Sequence, residues 1–484
     1  MQEALLTVVQ TINTYLSDYI LIFLLLSVGI WYSIKTNFVQ VRYFKKGLKL
    51  VFGNLKLVGE KHDQGMSSFQ ALATAIAAQV GTGNIIGASG AILTGGPGAI
   101  FWMWLIAFFG MATIYAEANL ALKTRIQDDQ GAIQGGPVYY IQKAFSGRLG
   151  LFLARFFAIA IILALGFFGC MVQSNSISST FSNAFGVPSW IVGVVLVLIC
   201  GFIFLGGVQR LASVTEKLVP VMAAIFLGGC LVIIVSRIQH IPETFAMIFR
   251  YAFQPQAIIG GGFGAAIKIA LSQGAKRGLF SNEAGMGSTP HAHALADVDH
   301  PHDQGCVAIV SVFIDTFVVL TMNALVIIST LYTPGGILAE GYSGAVTETV
   351  SKVNLVQTAF GAVFGEQIGA MFIAIVLFFF AFSTILSWNF FGKVNIDFLG
   401  KGKLTRIYMV IAIAFIFLGT IASNDLVWEL TDMFNNLMVI PNALALFAMT
   451  RIVVNSLKDY ETGKKEEAPA TQDGEKLQAP VARS

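Results

Sequence analysis

Two stretches of this chain place oxygen donors where an apolar run should exclude them. Ser383 and Thr384 stand side by side in the run from Phe378 to Trp388. The segment Ala77-Ala78-Gln79-Val80-Gly81-Thr82-Gly83-Asn84 lies in the middle of a second run, from about Phe69 to Leu93. That run is long enough to cross a bilayer, which takes ~20 residues. Glycines loosen a helix, and polar side chains at membrane depth are costly unless they face a protein interior. The pattern predicts a helix broken at mid-depth, whose freed backbone groups could grip an ion or a small zwitterion. The other reading is a continuous helix whose glycines serve close packing.

A small hard cation such as sodium wants neutral or weakly charged oxygens. Carbonyls of Ala77 and Val80 with the hydroxyls of Ser383 and Thr384 would supply such a cage. The alternative is that both hydroxyls bond back to carbonyls one turn earlier on their own helix. Backbone amides of Gly81, Thr82, Gly83 and Asn84 would face a carboxylate, as at any exposed helix N-terminus. Gln173 is a lone amide in an apolar span, suited to a ligand or to an interhelical hydrogen bond. Phe280, Ser281 and Asn282 lie in a second glycine-flanked interruption, Gly278 to Gly287. Trp388 follows Thr384 by one turn and would lid a small pocket, or anchor at the membrane face.

Charges inside apolar spans are functional candidates. Asp315 is the deepest, while Glu117, Glu283, Glu429 and Asp432 lie nearer span ends, with Lys268, Lys276 and Arg277 as candidate gate partners or structural salt bridges. His291, His293, His300 and His302 have irregular spacing and are expected in an ordinary polar loop, not a metal site. The four cysteines sit in or beside apolar runs without a CxxC pair, and are expected as buried free thiols. There is no HExxH, no phosphate-binding GxxxxGK[ST] and no GxSxG in a strand–helix context, which disfavours an enzyme.

The elements that must position these residues are membrane helices. The 484 residues are 55% hydrophobic and only 12% charged, against about a quarter charged in soluble domains. A net charge of +3 gives no reason to expect a nucleic-acid partner. Hydropathy predicts an all-α polytopic membrane protein of about eleven spans. They begin near residues 19, 69, 99, 151, 190, 214, 258, 307, 368, 407 and 426. The segment starting at 258 has its break at 278–287, with Gly260-Gly261-Gly262 and Ser272-Gln273-Gly274 as rival positions.

Alternating the spans puts 23 Lys and Arg on one side and two, Arg250 and Lys352, on the other. By the positive-inside rule the N-terminus is outside and the C-terminus cytoplasmic. The N-terminal run has no basic flank, so a cleaved signal peptide is not expected. The two interrupted spans lie five apart and cross in opposite directions. Residues 66–237 and 238–456 therefore read as an inverted repeat, preceded by one helix and a basic connector in 1–65. Residues 457–484, rich in Lys, Glu, Pro and Ala, read as a disordered cytoplasmic tail.

Four motifs carry a resemblance: Val80-Gly81-Thr82-Gly83-Asn84-Ile85, Gly95-Gly96-Pro97-Gly98, Gly135-Gly136-Pro137-Val138-Tyr139-Tyr140 and Arg277-Gly278-Leu279-Phe280-Ser281-Asn282-Glu283-Ala284-Gly285. In this order they resemble the alanine/glycine:cation symporter family over residues 15–455, and through it the LeuT-fold transporters with their five-plus-five inverted repeat. The resemblance implies import of alanine or glycine driven by sodium, or sometimes protons. It implies substrate contacts at Thr82 and Gly83, with Asn84, Gln173, Phe280, Asn282 and Trp388 as further candidates, and sodium at Ser383 and Thr384. A multi-pass protein of the cell inner membrane, in contact with lipid and needing no oligomer, is the expectation. A proton-coupled symporter with Asp315 or Glu283 as carrier is the second reading. A channel or amino-acid sensor is the third.

Overall fold

The computed structural model describes residues 2–53, 65–127, 132–255, 262–339, 350–422 and 424–463. Among these, six helices are long and apolar enough to cross a membrane. They are α1 (Ala4–Lys35), α4 (Ala99–Thr124), α5 (Gly147–Phe185), α7 (Gly207–Ser236), α10 (Pro301–Tyr332) and α12 (Glu366–Gly400). Two bent pairs pass the same test together: α2 with α3 (Ser68–Gln79 and Gly83–Gly95, bent by 43°), and α14 with α15 (Asp425–Ala448 and Thr450–Glu461, bent by 56°). Further helices include α6 (Ser189–Phe204), α8 (Ile241–Phe253), α9 (Phe263–Asn282), α11 (Leu355–Phe364) and α13 (Thr405–Ile421). Large apolar side chains such as Leu198, Leu205, Phe202 and Val410 stand exposed on α6, its end and α13, as a lipid-facing surface requires.

The expected break in the second span is present. Ser67 and Gln70 form a capping box that starts α2. The helix stops at Gln79, where Val80 takes ψ 85°. The chain resumes at Gly83 through a short π-helical turn, Gly83–Gly87. The segment beginning near 258 departs from one of the three break positions considered. Ser272-Gln273-Gly274 lies inside continuous α9, because Gly274 packs tightly on Ala99 and Trp102 of α4 and serves contact, not bending. Gly260 and Gly261 fall outside the described residues. The helix ends at Asn282, where Glu283 adopts the left-handed conformation (φ 58°) and Gly285 and Gly287 follow with φ 93° and 78°. A non-glycine residue there is strained by roughly 1–2 kcal/mol, so the surroundings must hold it.

α3 and α9 run antiparallel. Gly83 at the start of α3 abuts Phe280 and Ser281 at the end of α9, while Gly95 at its end abuts Ala270 and Gln273 further back.

Three further expectations are corrected. The histidine segment is not a solvated loop: His291, His293 and His302 are buried, each paired by a neighbouring polar group. The last span, expected to run from 426 through Val454, is instead bent by 56° at Met449. The tail is helical up to Glu461, held there by Arg42 and Tyr43; residues 464–484 lie outside the described set. The four cysteines are buried and free, as expected.

Candidate functional site

The break in α2 is held open by two side chains that take its amides. In an unbroken helix the amides of Gly81 and Thr82 would bond the carbonyls of Ala77 and Ala78. Here Gly81 N donates to Asn84 Oδ1 at 3.0 Å, and Thr82 N donates to Gln173 Oε1 at 3.2 Å. The two carbonyls are thereby released toward α12. Thr384 Oγ1 donates to Ala77 O at 2.9 Å and lies 3.4 Å from Ala78 O, and Ser383 Oγ lies 3.4 Å from Ala77 O. Both hydroxyls also reach the Phe380 carbonyl on their own helix, at 2.9 and 3.0 Å, so the two readings of this pair coexist.

Only a glycine fits at position 81, where a Cβ would sit 2.4 Å from Thr384 Oγ1. Ala77, Val80, Ser383 and Thr384 are all buried, and the ψ of Val80 turns its carbonyl out of the helical direction. This donor set of carbonyls and hydroxyls fits a small hard cation.

The candidate substrate residues gather beside that cluster, but in different roles. Thr82 and Gln173 are fully buried, and Thr82 Oγ1 and Gln173 Nε2 have no hydrogen-bond partner among the described residues. These two buried polar atoms belong to residues linked by the Thr82 N–H to Gln173 Oε1 hydrogen bond, and buried polar atoms without a partner call for an explanation. Gly83 lies against Ser281, where a Cβ would come within 2.9 Å of its Cα. Phe280 packs edge-on to Trp388 (5.6 Å between centroids) and against Trp428 (4.9 Å). Trp388 is buried, not an interfacial anchor, and its indole N–H donates to Glu283.

The side chains of Asn84 and Asn282 are committed to the scaffold. Asn84 Nδ2 donates to Asp315 Oδ1 at 2.6 Å. Asn282 Oδ1 accepts from Ala284 N, and its carbonyl accepts from Gln79 Nε2 at 2.7 Å, which ties the end of α2 to the end of α9.

Asp315, on a π-helical turn of α10, joins both breaks. It also accepts from Ser281 Oγ at 3.0 Å and Thr316 Oγ1 at 2.8 Å. The sequence marked Asp315 as a deep charge but gave no signal for its partners.

The segment after α9 is fixed by Glu117 on α4, whose carboxylate accepts from Gly285 N at 3.0 Å and Gly287 N at 2.9 Å. Asn442 on α14 donates to the same carboxylate at 2.6 Å and to Gly285 O at 2.9 Å. Tyr140 of the Gly-Gly-Pro-Val-Tyr-Tyr motif donates to Asn442 in turn. Gly136 of that motif, at φ 125°, would drive a Cβ to 2.7 Å from the His291 ring. The motif therefore shapes the second break and does not itself meet the cluster.

One turn before Phe280 along α9, Arg277 lies over the Trp428 ring at 4.7 Å and pairs with Asp432 at 3.1 Å, beside Lys276–Asp432 at 2.7 Å. These charges close one side of the aromatic layer. Of the expected gate partners, Lys276 and Arg277 meet Asp432 and Lys276 also lies 3.9 Å from Glu429, while Lys268 pairs with Asp18 on α1 at 3.4 Å and, among the described residues, Asp315, Glu117 and Glu283 form no ion pair with any of the three.

This geometry can be set beside known proteins. The chain is similar to the sodium/alanine symporter AgcS of Methanococcus maripaludis, 39% identical over 96% of this chain and 98% of that protein. It is 38% identical to the probable sodium/glutamine symporter GlnT of Bacillus subtilis, over 96% of this chain and 92% of that protein. Among solved structures, MhsT in complex with L-phenylalanine superposes with a TM-score of 0.57 at 13% identity, covering 83% of this chain and 99% of that one. That likeness gives the LeuT fold. The model of the sodium:alanine symporter family matches residues 2–473. A membrane protein of many apolar spans, with a helix broken beside a cluster of neutral oxygens, matched along nearly its whole length, belongs to the sodium:alanine symporter family and is a sodium-coupled amino-acid symporter, not an enzyme.

Proposed function

We propose that the chain imports alanine or glycine together with sodium by alternating access. The observation that carries this reading is the release of the Ala77 carbonyl toward Ser383 and Thr384. Sodium would sit among Ala77 O, Val80 O and the two hydroxyls, fastening α2 to α12. The amino acid would lie beside Thr82, Gly83 and Gln173, under Phe280 and Trp388. Its carboxylate would draw the amides of Gly81 and Thr82 away from their present side-chain partners. Asn84 and Asn282 would hold the breaks in shape.

Small neutral substrates suit this site. Phe280 and Trp388 close over it, and Lys276 and Arg277 beyond them are already paired with Asp432. The similarity to AgcS supports alanine. Coupling needs only that sodium and substrate favour the same conformational state.

In this reading residues 66–237 and 238–456 are the inverted halves, consistent with antiparallel α3 and α9. The N-terminus is outside and the C-terminus cytoplasmic, in the inner membrane. One chain carries the whole site, so a monomer suffices. Replacing Ser383 and Thr384 together by Ala tests the proposal. Sodium-driven uptake in proteoliposomes should fall more than tenfold while the protein stays folded. Unchanged sodium dependence would contradict the cage.

The buried carboxylates of Asp315 and Glu283, which no described cation pairs, favour a second reading in which a proton replaces sodium. Uptake at a fixed pH gradient, with and without sodium, separates the two.

A further inference from the structure

The first broken helix is held at both ends. Its deep end meets Ser383 and Thr384. Its other end, ~18 Å away at 1.5 Å per residue, is clasped to the segment that follows the second break. Met66 and Ser67 pair in parallel with Ala296 and Asp297. Met66 N donates to Leu295 O at 3.0 Å.

Beside this pair, Gln304 at the head of α10 bridges the two partners. Its Oε1 accepts from Ser68 Oγ at 2.7 Å, and its amide meets His293 Nδ1 at 2.9 Å. Gln304 and His293 are fully buried. Arg125 supports the far strand by donating to Ala294 O at 3.0 Å and Ala296 O at 2.9 Å. Ser67 is also the residue that caps α2. The strand pair and the helix start are therefore one object, and α2 cannot swing its outer turns away while the pair holds.

We propose that the Met66–Ser67/Ala296–Asp297 strand pair, locked by Gln304, is the inner gate of the transport cycle, and that opening toward the cytoplasm consists of its rupture. This deepens the symporter reading and rests on it. A short main-chain clasp suits a gate: it offers few hydrogen bonds, each worth about 0.5–1.5 kcal/mol net, so it can break on every turnover. Gln304 acts as a positioning residue, joining the two moving partners without touching sodium or substrate.

The register makes the test direct. Ser67 and Asp297 are opposite each other in adjacent strands, which lie roughly 4.8 Å apart, a separation a disulfide accommodates. The native cysteines are buried. In the full-length Ser67→Cys/Asp297→Cys protein in proteoliposomes, oxidation should cut sodium-driven alanine uptake at least tenfold, with recovery on reduction, while sodium-dependent alanine binding survives. Transport by the fully cross-linked protein at the reduced rate would overturn the proposal.

A second variant reads the gate without any cross-link. Thr74 is buried one turn or more inside the clasp, against Thr215. A cysteine there, Thr74→Cys, should react with a maleimide from the cytoplasmic side at least fivefold faster when combined with Gln304→Ala. Equal rates would also overturn the gate. Because Ser67→Cys also removes the cap of α2, it is absence of uptake by the unsubstituted protein that would bear on the symporter reading instead, and the labelling rates decide the gate in either case.

Discussion

Asn84 Nδ2 lies 2.6 Å from Asp315 Oδ1, so the residue that props the first break open is itself anchored by a carboxylate on α10. Because Ser281 donates to that carboxylate as well, Asp315 holds the two broken helices to a common post. Asp315→Ala strips Asn84 Nδ2 and Ser281 Oγ of a buried partner, each worth about 1–3 kcal/mol. Thermal unfolding in detergent should show a clear loss of stability, and uptake should fail. Asp315→Asn keeps an acceptor oxygen and should recover most of the stability. A protein indifferent to Asp315→Ala would remove this residue from the account.

Gly83 marks the crossing of α3 and α9. A methyl there must enter 2.9 Å from Ser281 Cα, which is backbone and cannot rotate away. Overpacking of this kind costs about 1–3 kcal/mol. Gly83→Ala should therefore lower uptake strongly, and Gly83→Val should abolish it. Gly402, left-handed but with open space around it, serves as the control in which steric entry plays no part. Uptake assays on purified variants at matched amounts check the contrast.

The indole of Trp388 packs edge-on to Phe280, over the proposed site, and donates to Glu283. Trp388→Phe keeps a ring against Phe280 but removes the donor. Its substrate affinity should drop by roughly tenfold, the order of a lost hydrogen bond to a charged group, and Glu283→Gln should reproduce much of the loss. Equilibrium binding of labelled alanine measures both. If Trp388→Phe binds normally while Trp388→Ala does not, the ring alone matters.

The C-terminal helix makes a weaker prediction. Arg42 pairs with Glu461 at 2.7 Å, but both side chains are about a third or more exposed, at 41% and 34%. Such a pair contributes at most ~1 kcal/mol. Arg42→Glu should lower the unfolding temperature by only a degree or two, if at all, and adding Glu461→Arg should restore it. Beside this pair Lys46 lies under Tyr460 and against Asp303. Burial pulls its ammonium pKa down, but bonds to Asp303 and Tyr460 outweigh that and hold it above the usual lysine range. The ammonium therefore stays charged through neutral pH and gives up its proton only in base.

Much of this was legible in the sequence where composition and position coincide. Gly81, Gly83, Thr82 and Asn84 pointed to a break because glycines and polar side chains together are costly at the centre of a lipid-spanning helix. Ser383 and Thr384 stood out for the same reason. What the sequence hid were partnerships across long chain separations. Nothing near Asn84 points to Asp315, nor anything near Glu117 to Gly285. The histidine segment read as solvated because its residues are polar, whereas Asn395, Gln304 and Tyr115 satisfy it from inside the protein. The bend at Met449 was invisible because Ile452, Val453 and Val454 extend the apolar run just past it; α15 is tied to the connector through Arg42–Glu461 and Lys46–Tyr460. The rival break at Ser272-Gln273-Gly274 failed because small residues serve close helix contact as well as flexibility.

The account turns on sodium holding α2 to α12 through the Ala77 carbonyl. Its most direct test is uptake of labelled alanine by the purified protein in proteoliposomes under an inward sodium gradient, with the pH equal on both sides. Accumulation above the outside concentration, abolished by replacing sodium with potassium and by Ser383→Ala/Thr384→Ala, is the predicted result. Accumulation that survives without sodium, or that the double substitution leaves untouched, would contradict it.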